Sequence, residues 1–149
     1  VRGAVPQALD VHAFLDPTLG AMTHAVISID KRDDAEPMAV IEAAFAARLA
    51  LGGSDMPVSM LTKRIVVVDA DVDVHQLADV DWAVWTRTAA AGKFRVLPDV
   101  PTWNLERCAK PGRGALRLAV DATCDLEDRA KLRRPRIPGA QRIRLEDYL

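Results

Sequence analysis

Hydrophobic residues along the chain form several short stretches that are typical of strands. Residues 8–15 (ALDVHAFL) alternate loosely and end at Asp16-Pro17, and residues 22–29 (MTHAVISI) are rich in β-branched side chains. The uninterrupted apolar run in residues 64–69 predicts a strand covered on both faces, as in a parallel sheet. Two further short strands are predicted at FRVL and ALRLAV, which begin at Phe94 and Ala115.

Between these strands lie two segments with the spacing of amphipathic helices. Residues 38–51 predict a helix that ends at Gly52-Gly53, and residues 75–88 predict a second helix. The apolar face of the second helix is expected to hold Leu77, Val80, Val84 and Trp85, with Trp82 flanking it. Strands that alternate with helices indicate an α/β domain with a mostly parallel sheet flanked by helices.

The last part of the chain has a different composition. Residues 124–149 combine scattered apolar side chains, seven basic residues and two prolines. We therefore expect an α/β domain over residues 1–123, followed by an extended C-terminal arm over residues 124–149 that clasps another subunit.

Composition and charge narrow the class of protein. A chain of 149 residues, 50% hydrophobic and 28% charged, suits one globular domain, and no apolar run reaches the roughly 20 residues of a membrane helix. Cys108 and Cys124 form no disulfide framework, and the N-terminal residues do not resemble a secretion signal, so we expect a cytoplasmic protein with reduced thiols.

Charge is unevenly distributed along the sequence. Residues 1–106 hold nine Lys and Arg against fifteen Asp and Glu, whereas residues 107–149 hold eleven against six. A basic tail can bind nucleic acid, dock on an acidic subunit or form a solvated helix. Because the arginines lack interleaved aromatic residues, we expect no nucleic acid partner.

Three alternating aspartates follow the buried strand and raise the question of a metal site. Asp69, Asp71 and Asp73 begin like a calcium loop, but Val74 and Val80 occupy the positions of its glycine and its glutamate. A magnesium or phosphate site at the strand's end is one alternative. We favour the other, in which Asp69 ends the strand and Asp71 or Asp73 accepts N–H bonds at the next helix's start. We therefore expect no metal ligands, including His75, His12 and His24.

The residues alone show no active site. The sequence holds no nucleophile elbow, no glycine-rich phosphate loop and no histidines at metal-binding spacing, so no catalytic residue is predicted. The missing glycine loop also disfavours a free-standing nucleotide-binding domain.

Two ordered blocks carry a resemblance to a known family. The segment VVVDADVDVHQLADVDWAVWTR, ending at Arg87, resembles the C-terminal signature of the UbiD family of decarboxylases. A second block, LRLAVDAT, is similar to the family's late D-A-T strand at Asp121, Ala122 and Thr123. Ala119 stands where the family has glycine, and no W-P motif follows Thr123.

The resemblance implies a part of an enzyme. UbiD-like enzymes are much longer, and they decarboxylate or carboxylate aromatic and α,β-unsaturated acids with prenylated FMN. The family's flavin pocket, divalent metal, potassium and glutamate–arginine–glutamate set lie upstream, so these cofactors are expected on a partner subunit and none on this chain alone. The expected partners are a larger UbiD-like catalytic subunit, a homo-oligomer, or both.

One loop is expected to reach the substrate. By resemblance, residues 100–108 (VPTWNLERC) approach the flavin pocket, where Trp103 and Leu105 would form an apolar wall for a planar acid. The alternative is that Trp103 packs at a subunit contact. We interpret the chain as a small subunit or isolated C-terminal domain of a UbiD-like (de)carboxylase, inactive without its partner. The second interpretation is a non-enzymatic scaffold module derived from that domain.

Overall fold

A computed structural model of the chain describes residues 3, 5–16, 21–51, 53–102, 106, 114–135 and 138–139. Seven strands and three helices are present in this part of the chain. The strands are β1 (Ala8–Asp16), β2 (Ala21–Ile29), β3 (Arg48–Leu51), β4 (Ser54–Pro57), β5 (Arg64–Asp69), β6 (Phe94–Val100) and β7 (Ala115–Ala122). The helices are α1 (Glu36–Ala46), α2 (Val58–Leu61) and α3 (Leu77–Arg87).

Five strands form one sheet in the order β1-β2-β5-β7-β6. The central strands β2, β5 and β7 run parallel, whereas β1 and β6 pair antiparallel at the two edges. The apolar run of β5 lies in the middle, where both faces of a strand are covered. The predicted α/β class with parallel pairing in the core is confirmed.

The two faces of the sheet carry different helices. Helix α1 packs on the face that includes Ile27, Ile65 and Val67, and α3 packs on the face that includes Val66 and Val68. The chain therefore leaves β2 toward one face and leaves the adjacent strand β5 toward the other. The carboxyl ends of these two strands, which are followed by Asp30 and Ala70, lie side by side.

The first predicted helix is shorter than its pattern indicated. Helix α1 ends at Ala46, and Arg48–Leu51 instead pair with Ser54–Pro57 as a two-stranded hairpin. The expectation of a helix through residue 51 is wrong because Leu49 fits the helical spacing but packs from a strand. Gly53, with a φ of 82°, serves the turn of this hairpin rather than a helix end.

Helix α3 presents a different face from the predicted one. Trp85 is 84% exposed and Leu77 is 44% exposed, so their assignment to the core is wrong. Val80, Ala83 and Val84 are buried, and Trp82 packs against them. Both tryptophans fit an apolar stripe by spacing, but the face toward the sheet is the one with the smaller side chains.

The beginning of the proposed arm contacts its own domain. The amide of Arg134 donates to Asp71 at 3.1 Å, and Arg129 pairs with Asp30 at 3.1 Å. A short 3₁₀ helix at Leu126–Asp128 connects β7 to these contacts. The division at residue 124 and the clasping of another subunit stay predictions, since most of residues 136–149 lie outside the described residues. No helix in the described part is long and apolar enough to cross a membrane.

Candidate functional site

A buried arginine joins the two nearest aspartates of the predicted cluster. Arg87, at the end of α3, donates to Asp69 at 3.0 Å and to both oxygens of Asp71 at 3.0 and 2.8 Å. Arg87 and Asp69 are each only 4% exposed. Breaking such a buried pair leaves an uncompensated charge, so this contact fixes the end of α3 to the end of β5.

Residues after β7 complete the network. The amide of Cys124 donates to Asp69 at 2.7 Å, and the carbonyl of Leu132 accepts from Arg87 at 2.6 Å. Arg134 pairs with Asp79 at 2.9 Å, and its guanidinium lies 4.7 Å from the Trp82 ring. Residues 124–134 therefore pack at the carboxyl ends of the central strands.

The ionisation states follow from these contacts. Burial opposes the charge of Asp71, but hydrogen bonds from Arg87 and from the amide of Arg134 hold the pKa of Asp71 below its ordinary value. Burial likewise opposes the charge of Arg87, yet its bonds and attraction to Asp71 raise its pKa. Burial raises the pKa of the Cys124 thiol to about 11, and the opposing charge of Arg87 does not offset burial together with the nearby Asp69 and Asp71. Cys124 is thus a neutral thiol and a poor nucleophile.

Two lysines tie the ends of the neighbouring strands. Lys93 bonds Asp121 at 3.0 Å and pairs with Asp125 at 2.9 Å, and Lys31 donates to Thr123 at 3.0 Å. Burial opposes the charge of Lys93, but the two carboxylates raise its pKa. Asp121 and Thr123 of the second resemblance block thus have a structural role in holding β7 to its surroundings.

A cleft of about 180 Å³ opens at this edge of the sheet. Its walls come from the ends of β2 and β5 and from the segment after β7. Asp69 and Arg87 lie at its base, and among the described residues Asp69 Oδ1 and Arg87 Nε have no hydrogen-bond partner. The lining is formed by Asp30, Asp69, Ala70, Asp71, Arg87, Cys124, Arg129 and Arg133.

The third aspartate and the histidines lie elsewhere. Asp73 accepts a hydrogen bond from the amide of His75 at 2.9 Å, within the connection before α3. The prediction that Asp71 or Asp73 caps the start of α3 is wrong, because the N-cap residue is Gln76 and no side chain makes a capping hydrogen bond there. Asp71 pairs with Arg87 instead. His75 contacts His12 between their Nδ1 atoms at 3.1 Å and Asp10 through Nε2 at 2.9 Å. Within the described residues, no group of three or more His, Cys, Asp or Glu side chains is arranged to hold a metal ion.

Several of these residues escaped the sequence analysis. Arg87 appears there as a signature residue, but its pairing with two aspartates 16 and 18 positions earlier is set by the fold. Lys93, Arg129 and Arg134 carried no signal beyond charge. The predicted substrate residues Trp103 and Leu105 lie outside the described residues, so their role stays a prediction.

Comparison with known proteins assigns most of the chain to one protein family. Residues 1–122 match the family model of the 3-octaprenyl-4-hydroxybenzoate carboxy-lyase C-terminal domain. Anhydromevalonate phosphate decarboxylase of Aeropyrum pernix is 35% identical over 139 residues, covering 93% of this chain and 29% of that protein. The enzyme of the same name from Methanothermobacter thermautotrophicus is 31% identical over 111 residues, 74% of this chain and 24% of that protein.

Solved structures show the same fold. The UbiD-class enzyme HmfF of Pelotomaculum thermopropionicum, in complex with FMN, superposes with a TM-score of 0.74 at 33% identity. The superposition covers 99% of this chain and 30% of that chain. An evolved dimeric form of HmfF, in complex with prFMN, superposes with a TM-score of 0.62. The chain therefore spans less than a third of the length of these relatives.

Proposed function

Because the chain belongs to the UbiD family of carboxy-lyases through that family's C-terminal domain, we propose that it serves a decarboxylase as a subunit or domain. The observation that carries the proposal is the family match over residues 1–122, together with a coverage of only 29% of the Aeropyrum pernix relative. The catalytic domains would then lie on a larger partner or in the remainder of a longer protein.

The substrate class follows from the family resemblance. We expect an aromatic or α,β-unsaturated carboxylic acid, and the relatives from Aeropyrum pernix and Methanothermobacter thermautotrophicus are named for anhydromevalonate phosphate. In this proposal Trp103 and Leu105 form one apolar wall of the substrate pocket, because rigid apolar surfaces suit a planar acid.

Prenylated FMN does not fit the cleft that the structure describes. A volume of about 180 Å³ is smaller than the roughly 300–1,000 Å³ that pockets for ligands of this size occupy. The cleft's aspartates are already bonded to arginines, which leaves no open carboxylate set for the divalent metal or potassium. We therefore place the flavin and its ions on the catalytic partner and assign this chain no step of the reaction.

A role in assembly is supported by hydrophobic side chains on the surface. Trp85, Leu116 and Val96 are more than half exposed, although each could have been polar without cost to the core. Tryptophan is enriched among the few interface residues that contribute most of the binding energy, so Trp85 is the main candidate of the three. The same observation favours the alternative function of a scaffold module, which would bind a partner without contributing to catalysis.

The decarboxylase subunit and the scaffold module differ in whether the partner needs this chain for catalysis. We would co-express the chain with a protein that carries the flavin-binding UbiD domains and is encoded beside it. The expected result is a complex by light scattering, with decarboxylation that requires both chains and with no flavin absorbance from this chain alone. A complex whose activity is the same without this chain would support the scaffold function. Stoichiometric flavin on the isolated chain would contradict the proposal.

A further inference from the structure

The path of the chain creates a crevice at the carboxyl end of the sheet. The connection after β2 leads to α1 on one face, and the connection after the adjacent strand β5 leads to α3 on the other. Where neighbouring connections leave on opposite faces, the two connections diverge and leave a crevice outside the carboxyl ends of the strands, and open α/β sheets bind their ligands there. The observed cleft lies at this position, between Asp30 after β2 and Ala70 after β5.

Most of the charges in the cleft already have partners. Arg87 pairs with the buried Asp69 and with the partly exposed Asp71, and Arg129 pairs with Asp30 at 3.1 Å. The second pair is open to solvent, since its two side chains are 37% and 65% exposed. A solvent-exposed pair contributes little stability, so the contact with Asp30 is readily exchanged for a ligand while Arg129 keeps its hydrogen bond to the carbonyl of Lys31 at 3.2 Å.

One cation of the cleft is uncommitted. Arg133 lines the cleft, and no partner for it is found among the described residues. The floor also holds a buried donor, Arg87 Nε, that makes no hydrogen bond among the described residues. Asp69 Oδ1 is unbonded as well, but it is an acceptor, which an oxyanion does not satisfy. Arg129 Nη2 lies 3.6 Å from Asp69 Oδ1, which is too long for a hydrogen bond. Unmet polar capacity around a cavity is unusual for a purely structural cluster.

We propose that this crevice binds a small oxyanion, a carboxylate or a phosphate, with Arg133 and Arg129 as its principal ligands. Planar guanidinium groups bind both anions through paired hydrogen bonds. A cation is disfavoured because the carboxylates of the cleft are engaged by arginines while Arg133 is not. The proposal rests on the residues that line the cleft and not on Trp103 and Leu105, so it does not depend on the proposed decarboxylase function.

The test is calorimetric titration of the full 149-residue chain with inorganic phosphate and, separately, with acetate, at constant ionic strength. Saturable binding of either anion is expected, and its identity decides between the two sources. Arg133→Gln should weaken binding at least about tenfold, as expected for one charged hydrogen bond. The matched control is Arg95→Gln. This variant removes an exposed arginine of β6 that pairs with Glu42 of α1, and neither residue lines the cleft.

A measurement on the unmodified chain guards against effects of the substitution on folding. Amide NMR shifts during the phosphate titration should concentrate around Asp30, Ala70 and Cys124, which are three of the residues that line the cleft. The proposal is overturned if neither anion binds saturably. Equal binding by the Arg133→Gln and Arg95→Gln variants, or shifts spread over surface cations elsewhere, would overturn it as well.

Discussion

The connection between β5 and α3, residues 70–76, is held by charged groups at both ends, but the two ends differ. At its start, Arg87 binds Asp69 and Asp71, and the arginine is almost wholly buried. At its other end, His75 contacts His12 and Asp10 on β1, where the side chains are about half exposed. The first contact uses groups that keep their charge over the physiological pH range, and the second uses imidazoles.

The difference shows what each contact is suited for. A buried pair with permanent charges holds one arrangement, because separating it leaves a charge without solvent. Exposed histidines add little stability, since water replaces their partners at low cost. We therefore expect the β5 end of this connection to govern global folding and the β1 end to open under mild conditions.

The strongest test of this comparison removes the buried cation. Arg87→Met keeps much of the side-chain volume but leaves Asp69 and Asp71 without their partner, so we expect a loss of about 3–5 kcal/mol in the free energy of unfolding. Urea unfolding followed by circular dichroism measures it. The control, Arg95→Met, removes an exposed arginine and should cost less than about 0.5 kcal/mol. A similar small loss for both variants would show that the buried network is not needed for folding.

Trp82 belongs to the buried end and tests its packing. Its ring lies 4.9 Å from the Arg87 guanidinium and 4.7 Å from that of Arg134. Trp82→Ala removes apolar burial and both cation–π contacts, and we expect a loss of about 2–3 kcal/mol. Trp85→Ala, on the same helix but 84% exposed, should change monomer stability by less than about 0.5 kcal/mol. Thermal unfolding of the two variants measures the contrast, which equal losses would contradict.

His24 tests the β1 end through pH. Burial, and then the charges of Arg64 and His12, lower the pKa of His24 to about 4. Since the unfolded chain takes up this proton near pH 6.5, the folded state is stabilised above that pH and loses this stability as the pH falls toward 4. We expect a decrease of about 1–3 kcal/mol over this range.

The measurement for His24 is urea unfolding at pH 7, 6, 5 and 4.5. His24→Phe keeps the ring that stacks on Phe14 and should flatten the pH dependence. If the variant and the unmodified chain lose stability in parallel, the proton is taken up elsewhere.

The smallest effect is expected from the exposed bridge itself. Because His75 and Asp10 are partly solvated, their contact at 2.9 Å should couple by about 0.2–1 kcal/mol. A double-mutant cycle with His75→Ala and Asp10→Asn measures the coupling. A value as large as the loss from Arg87→Met would remove the distinction between the two ends.

The sheet could be predicted because its signals are local. The apolar run of β5 and the β-branched residues of β2 each predict a buried strand from a few consecutive positions. The hairpin of β3 and β4 could not be predicted in this way. Leu49 fits the apolar stripe of a helix as well as a strand, and a glycine pair can end either element. Helical spacing includes Trp85 in the apolar stripe of α3 and so predicts a place in the core. The sheet covers only the part of that stripe that includes Val80 and Val84.

The candidate site was only half visible in the sequence. The aspartates of β5 and the following connection are evident from their spacing, but the predicted capping of α3 is not observed, and Asp73 bonds the nearby amide of His75 instead. The partners of the other two come from distant positions: Arg87 from the end of α3 and the amides of Cys124 and Arg134 from the segment after β7. No periodicity connects such residues, since only the parallel sheet brings them to one edge.

The contact between Asp71 and the amide of Arg134 also sets an order of events during synthesis. The two residues are 63 positions apart, and a ribosome adding about 5–20 residues per second needs roughly 3 to 13 s to make the intervening chain. Until then the ends of β5 and α3 carry charges that the finished protein shields. Parallel pairing of distant strands is slow in itself. The nascent chain is therefore exposed to proteases and chaperones for seconds, and this interval is when a destabilising substitution at the edge would reduce its yield most.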